Sequence, residues 1–176
     1  MKLKARLATA VTTVLGAVII LPAQAADGNI TFNGSITATT CTININGGGL
    51  NPTVILPAAR LDQLTANGNT TGDTSFNVVL SGCGGATNGA AVHFESGALV
   101  TTQGALSTTG SGSGVELLIH QGTSTTPLVI GQAPALAIAS IAGGGLTLPY
   151  TVKYRRIAQP VAGTVSSSVA YSIVYF

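Results

Sequence analysis

Ile30, Phe32, Gly34 and Ile36 alternate with Thr31, Asn33, Ser35 and Thr37, so one face of the segment is apolar and the other polar. Near the other end, Val165, Val169, Tyr171, Ile173 and Tyr175 share one parity, and Ser166, Ser168, Ala170, Ser172 and Val174 share the other. A repeat of two residues describes a strand with one buried face. It commits the chain to β-structure at both ends, and each apolar face needs a cover. Leaving Ile30, Phe32 and Ile36 in water would forgo roughly 5–8 kcal/mol of burial.

The region between them keeps the same character. Short β-branched runs recur between Gly, Asn and Pro clusters, and helix formers are sparse. Strands are expected at Ile30–Ala38, Thr42–Ile45, Thr53–Leu56, Thr74–Leu80, Ala90–Glu95, Val115–Gln121, Leu128–Ile130, Leu146–Arg156 and Ser166–Phe176. Gly47–Gly49, Gly82–Gly89, Gly104–Gly114 and Gly143–Gly145 read as turns or loops. Pro57–Leu64 has room for one helical turn. The fold class is an all-β sandwich, without a second globular domain or a fixed-period repeat.

The first residues carry a targeting pattern. Lys2, Lys4 and Arg6 precede an uncharged apolar run from Leu7 to Leu21, and Ala23-Gln24-Ala25 supplies small residues at a cleavage site. This is the layout of a secretory signal peptide, and the run is shorter than the roughly 20 residues a membrane span needs. Cleavage after Ala25 leaves four basic residues (Arg60, Lys153, Arg155, Arg156) against five acids (Asp27, Asp62, Asp73, Glu95, Glu116), a net charge of −1. That charge excludes a broad field for nucleic acid. Cys41 and Cys83 are the only cysteines. An even pair in an exported chain reads as one disulfide, worth roughly 4 kcal/mol in the chain-entropy picture.

Little chemistry is suggested. Two thiols and two distant histidines do not make a four-ligand metal set, and no cofactor motif occurs. His93 and His120 each lie in an expected strand, where a structural role is the simpler reading. No G-x-S-x-G elbow occurs, and the carboxylates are scattered. Gly110-Ser111-Gly112-Ser113-Gly114 lacks the Lys-Ser/Thr of a phosphate loop and reads as a flexible hairpin loop. Lys153, Arg155 and Arg156 form the only basic cluster, read as a solvated face. A catalytic site is not expected.

One constellation carries a resemblance. The targeting pattern is followed by the alternating segment with Gly34 on its apolar face. Cys41 comes next within TATTCTI, and Cys83 follows within VVLSGCGG. LPYTVKYRRI precedes Gly163, the fourteenth residue counted back from Phe176, and Tyr175 is penultimate. Together, in this order, these features resemble the chaperone–usher pilin family, in particular type 1-like fimbrial subunits. The Ser-rich stretch before Tyr175 and the terminal Phe176 are departures in detail.

The resemblance implies an incomplete immunoglobulin-like β-sandwich, completed by a strand from a neighbouring subunit. It divides the chain into a signal peptide (1–25), a strand-donating extension (26–39) and a pilin domain (40–176). Ile30, Phe32 and Ile36 are then expected in pockets of the neighbour, with Gly34 where no Cβ fits. Gly163, Val165, Val169, Tyr171, Ile173, Tyr175 and Phe176 would form the strand that edges the groove, the Phe176 carboxylate serving as an anchor for a chaperone. The implied partners are related pilin subunits, a periplasmic chaperone and an outer-membrane usher. A host receptor is left open, with surface display in a fimbria and a role in adhesion. The competing readings are an adhesin or adaptor that binds glycan or protein, a self-sufficient exported sandwich, and an exported enzyme.

Overall fold

The computed structural model describes residues 41–83, 89–133 and 141–175. The expected strand at Ile30–Ala38 and the residue Phe176 lie outside them. The described strands are β1 (Thr42–Ile45), β2 (Thr70–Ser81), β3 (Ala90–Phe94), β4 (Leu106–Ser107), β5 (Ser113–Gln121), β6 (Leu146–Val161) and β7 (Tyr171–Tyr175). A single 3-10 turn covers Leu61–Gln63, within the segment expected to hold one helical turn. Among the described residues no helix is long and apolar enough to cross a membrane.

All pairings are antiparallel. A five-stranded sheet runs β1-β2-β6-β5-β4, and a two-stranded sheet pairs β3 with β7. Immunoglobulin-type sandwiches pack a sheet of strands A, B, E and D on a sheet of C, F and G. In chain order β1, β2, β3, β5, β6 and β7 take the places of A to F, with β4 leading into D. Among the described residues no strand occupies G, so the sandwich is incomplete.

Alternation explains the core. Phe76, Val78 and Leu80 of β2, Val115, Leu117 and Ile119 of β5, and Leu148, Tyr150, Val152 and Tyr154 of β6 are buried from one side. Ala90, Val92 and Phe94 of β3 meet them from the other. Tyr150 sits at the centre, stacked on Phe76 at 5.5 Å and edge-on to Phe94 at 5.2 Å between ring centroids. Burial pushes its phenol up to about 12, against a smaller opposing effect from the Val92 backbone. Cys41 and Cys83 are joined, with 4.3 Å between their Cα atoms.

Several expected elements differ in extent. β2 and β6 are longer than their alternating cores: Thr70–Asp73 extend the first, and Ile157–Val161 extend the second with Ile157, Ala158, Gln159 and Val161 exposed and Pro160 buried. β4 falls inside the expected Gly104–Gly114 loop. Thr53–Leu56 is not in a ladder, and neither is Leu128–Ile130. Leu128 N–H does bond Ile119 O at 2.7 Å, and Pro127 bridges His120. The expected strand Ser166–Phe176 is ladder only from Tyr171. Upstream, Ser166 forms an isolated bridge with Thr109, in the segment between β4 and β5, so this stretch is shared between two partners.

Candidate functional site: the outer edge of β7

Glu95 N–H donates to Ala170 O at 2.9 Å, which fixes the phase of the β3–β7 ladder. In an antiparallel pair, successive residues turn their backbone groups alternately toward and away from the partner. Ala170, Ser172 and Val174 therefore face β3. Tyr171, Ile173 and Tyr175 present N–H and C=O groups on the other side, where no described strand pairs with them. β3's own outer edge is treated differently, since Gly131 N–H donates to Phe94 O at 2.9 Å.

The side chains match this asymmetry. Val165, Val169, Tyr171, Ile173 and Tyr175 all pack against the core but remain half-buried, and Ser166, Ser168, Ala170 and Ser172 between them are exposed. On β3, directly beside them, Val92 is 4% exposed and Ala90 fully buried. Among the described residues, the core is more fully covered at β3 than along β7.

A second wall faces the opening. Residues 51–59 run extended without a ladder partner. Pro52, Val54 and Leu56 are half-buried, while Thr53, Ile55 and Pro57 are exposed. Val54, Leu56 and Ala59 pack on the core. Tyr171 Oη donates to Leu50 O at 2.9 Å, tying this wall to β7. At the β7 terminus, Cys41 N–H donates to Tyr175 Oη at 3.4 Å. At the opposite end a cavity of about 160 Å³ lies between Ala58, Ala59 and Leu61 on one wall and Gly163 and Val165 on the other. Among the described residues, the result is an apolar groove with the outer edge of β7 along one side. A larger cavity of about 410 Å³ lies by β3, beneath Leu128 and Ile130.

Gly163 has a physical reason in this geometry. A Cβ there would stand 2.5 Å from the Ser111 carbonyl carbon and 2.6 Å from Ser111 Oγ. Gly110, at φ +112°, is pressed in the same way against Thr164. The approach permits Gly112 N–H to bond Thr164 O at 2.9 Å and Thr164 N–H to bond Ser111 Oγ at 3.0 Å. Thr109 and Ser166 exchange two backbone bonds of 2.8 Å. The Gly-Ser stretch read as a flexible loop is thus a clasp on the approach to β7. Its Gly-Ser alternation was a visible signal, but its partner lies about 50 residues away in the chain.

Of the remaining candidates, Ile30, Phe32, Gly34, Ile36 and Phe176 lie outside the described residues. The basic cluster is engaged rather than merely solvated: Lys153 meets Asp73 at 2.7 Å, Arg155 Nε meets the buried Glu116 at 2.6 Å, and Arg156 Nη1 donates to Leu64 O at 2.8 Å. His93 Nε2 contacts Glu95 at 3.1 Å, and Glu95 accepts from Ser172 Oγ at 2.6 Å across the β3–β7 pair. His120 Nδ1 is bonded to Ser124 O at 3.1 Å. These contacts link neighbouring strands and turns. Among the described residues no group of three or more His, Cys, Asp or Glu side chains is placed to hold a metal ion.

Comparison with known proteins gives the chain's relatives. The chain is 33% identical to the F17 fimbrial protein of Escherichia coli over 160 residues, covering 85% of this chain and 87% of that protein. It is 32% identical to the major fimbrial subunit SMF-1 of Stenotrophomonas maltophilia (strain K279a) over 165 residues, covering 88% and 96%. The crystal structure of the P pilus rod subunit PapA shares the fold, with a TM-score of 0.60 at 14% identity, covering 77% of this chain and 99% of that one. The family described as fimbrial protein matches residues 30–175, a span that takes in both the alternating N-terminal segment and β7. The chain belongs to the fimbrial protein family.

Proposed function

We propose that this chain is a structural subunit of a surface fimbria, polymerising by strand donation from one copy to the next. The observation that carries the reading is the outer edge of β7, which no described strand pairs, lined by half-buried apolar side chains. Tyr171, Ile173 and Tyr175 offer backbone groups that no described strand pairs, beside apolar side chains that one more strand would cover. Recognition of this kind draws binding from main-chain hydrogen bonds and specificity from alternate side chains.

Residues 26–39 are the candidate strand, 1–25 a cleaved signal peptide and 40–176 the body. Ile30, Phe32 and Ile36 alternate at the spacing a groove beside β7 requires, and Gly34 marks a point of close backbone approach. Sheets of this sandwich type are antiparallel, so the incoming strand runs against β7. Ile30 then lies toward Tyr175, and Ile36 toward Val165. The contact is heterologous and does not close, which gives a filament.

An unfilled groove of this kind exposes apolar core in transit. A periplasmic chaperone that covers β7, contacting the Phe176 carboxylate, and an outer-membrane usher that exchanges the cover for the next subunit complete the pathway. On this reading the chain contributes scaffold and adhesion rather than catalysis. The test is Phe32→Asp. A charge in an apolar pocket should leave a subunit that folds and is exported but does not extend filaments. Filaments of normal length and number, seen by electron microscopy of expressing cells, would sink the proposal.

A further inference from the structure

We propose that Arg60, Leu61, Asp62 and Val161 form a contact surface for the body of the strand-donating copy, occupied by that copy's disulfide-bearing end. The inference rests on the strand-donation reading and adds a second, body-to-body contact to it.

Three observations converge. The first is direction. A strand running against β7 leaves the groove where the approach to β7 begins, beside Gly163 and Val165. The walls there are Ala58–Leu61 and Val161–Val165.

The second is the tether. Only Thr37, Ala38, Thr39 and Thr40 separate Ile36 from Cys41. At about 3.3–3.6 Å per residue, Cys41 of the donor can stand no more than roughly 17 Å from its own Ile36. Cys41 is held to its body by the disulfide to Cys83, and its edge carries exposed Thr42, Ser81 and Gly82. A body on so short a tether is brought up against the rim of the groove it fills.

The third is the chemistry of that rim. Leu61 is 50% exposed and Val161 57% exposed, and the two line the same small cavity. Ile55, earlier on the same wall, is 83% exposed. Arg60 and Asp62 flank Leu61 as a bonded pair at 2.6 Å. An apolar centre with a polar border is the anatomy of a protein contact. The occupant's end and the rim lie at opposite ends of the β7 run: Cys41 sits by Tyr175, the rim by Gly163. One copy therefore offers the rim at one pole and the disulfide end at the other, continuous with the groove between them.

The experiment uses the full chain, assembled into filaments by cells that export it, with a photo-crosslinking residue in place of Arg60. A second chain carries the same residue in place of Ser75, on the exposed face of β2. Irradiated filaments of the first should give cross-linked dimers at least tenfold above the second. The linked peptide should fall in residues 41–49 or 81–83 of the neighbour. Inserting Gly-Ser-Gly-Ser after Ala38, which leaves Ile30, Phe32, Gly34 and Ile36 unchanged, should cut that yield at least fivefold. In parallel, a synthetic 26–40 peptide is added to a chain lacking 26–39, and the rise in Tm is read. A peptide that stabilises the chain while the links map elsewhere, or show no excess over Ser75, overturns the body contact alone. A peptide that leaves Tm unchanged overturns strand donation and the contact with it.

Discussion

Replacing Gly163 with alanine tests whether the clasp between residues 109–112 and the approach to β7 holds the open edge in place. The new Cβ would meet the Ser111 carbonyl carbon at 2.5 Å, with the Gly112 amide closer still. Both are backbone atoms, so relief requires the loop to move. The bonds that depend on its position are Gly112 N–H to Thr164 O and Thr164 N–H to Ser111 Oγ. Overpacking costs about 1–3 kcal/mol, and each weakened bond adds about 0.5–1.5 kcal/mol. A loss of about 2–6 kcal/mol is expected. Guanidinium unfolding of the disulfide-intact chain with the 26–40 peptide bound should show a lower midpoint at unchanged slope. Peptide affinity should fall too, because Gly163 and Val165 line the cavity at the groove's end. Gly97→Ala is the control, since a Cβ there meets nothing within 4 Å. If Gly163→Ala shifts stability by less than about 0.5 kcal/mol, in the range of surface substitutions, the steric reasoning is refuted.

Replacing both Cys41 and Cys83 with serine should cost about 4 kcal/mol by the loop-closure estimate, read as a lower denaturant midpoint. Arg155→Ala strands a Glu116 that is 4% exposed and should cost about 2–4 kcal/mol. Lys153→Ala, whose partner Asp73 is 61% exposed, should cost less than about 1 kcal/mol. The Tyr150 phenol ionises near 12 when folded and near 10 when unfolded. Its contribution is therefore complete below pH 10, and up to about 2 kcal/mol is lost as pH rises toward 12. Unfolding measured across pH 9–12 should show that decline, and Tyr150→Phe should flatten it.

Alternation was a local property and could be read locally. The sequence alone placed strands over the alternating cores of β2, β3, β5 and β6, paired the cysteines and put Val165, Val169, Tyr171, Ile173 and Tyr175 on one face. It also determined the charge balance and the family constellation. Each rests on side chains within a few residues of one another, or on a covalent pair with no other choice of partner.

Ladder membership was not legible in the same way, because a strand needs a partner and the partner is remote in the chain. Residues 51–59 have strand periodicity without a ladder, and Ser166 pairs with the segment between β4 and β5 while Tyr171 pairs with β3. The reason for Gly163 also waited on tertiary structure, since the atoms that exclude a Cβ belong to Ser111 and Gly112. So did the asymmetry between β3, whose outer edge bonds Gly131, and β7, whose outer edge no described strand pairs. Apolar alternation states that a face must be buried, and only the packed chain decides which faces it covers itself.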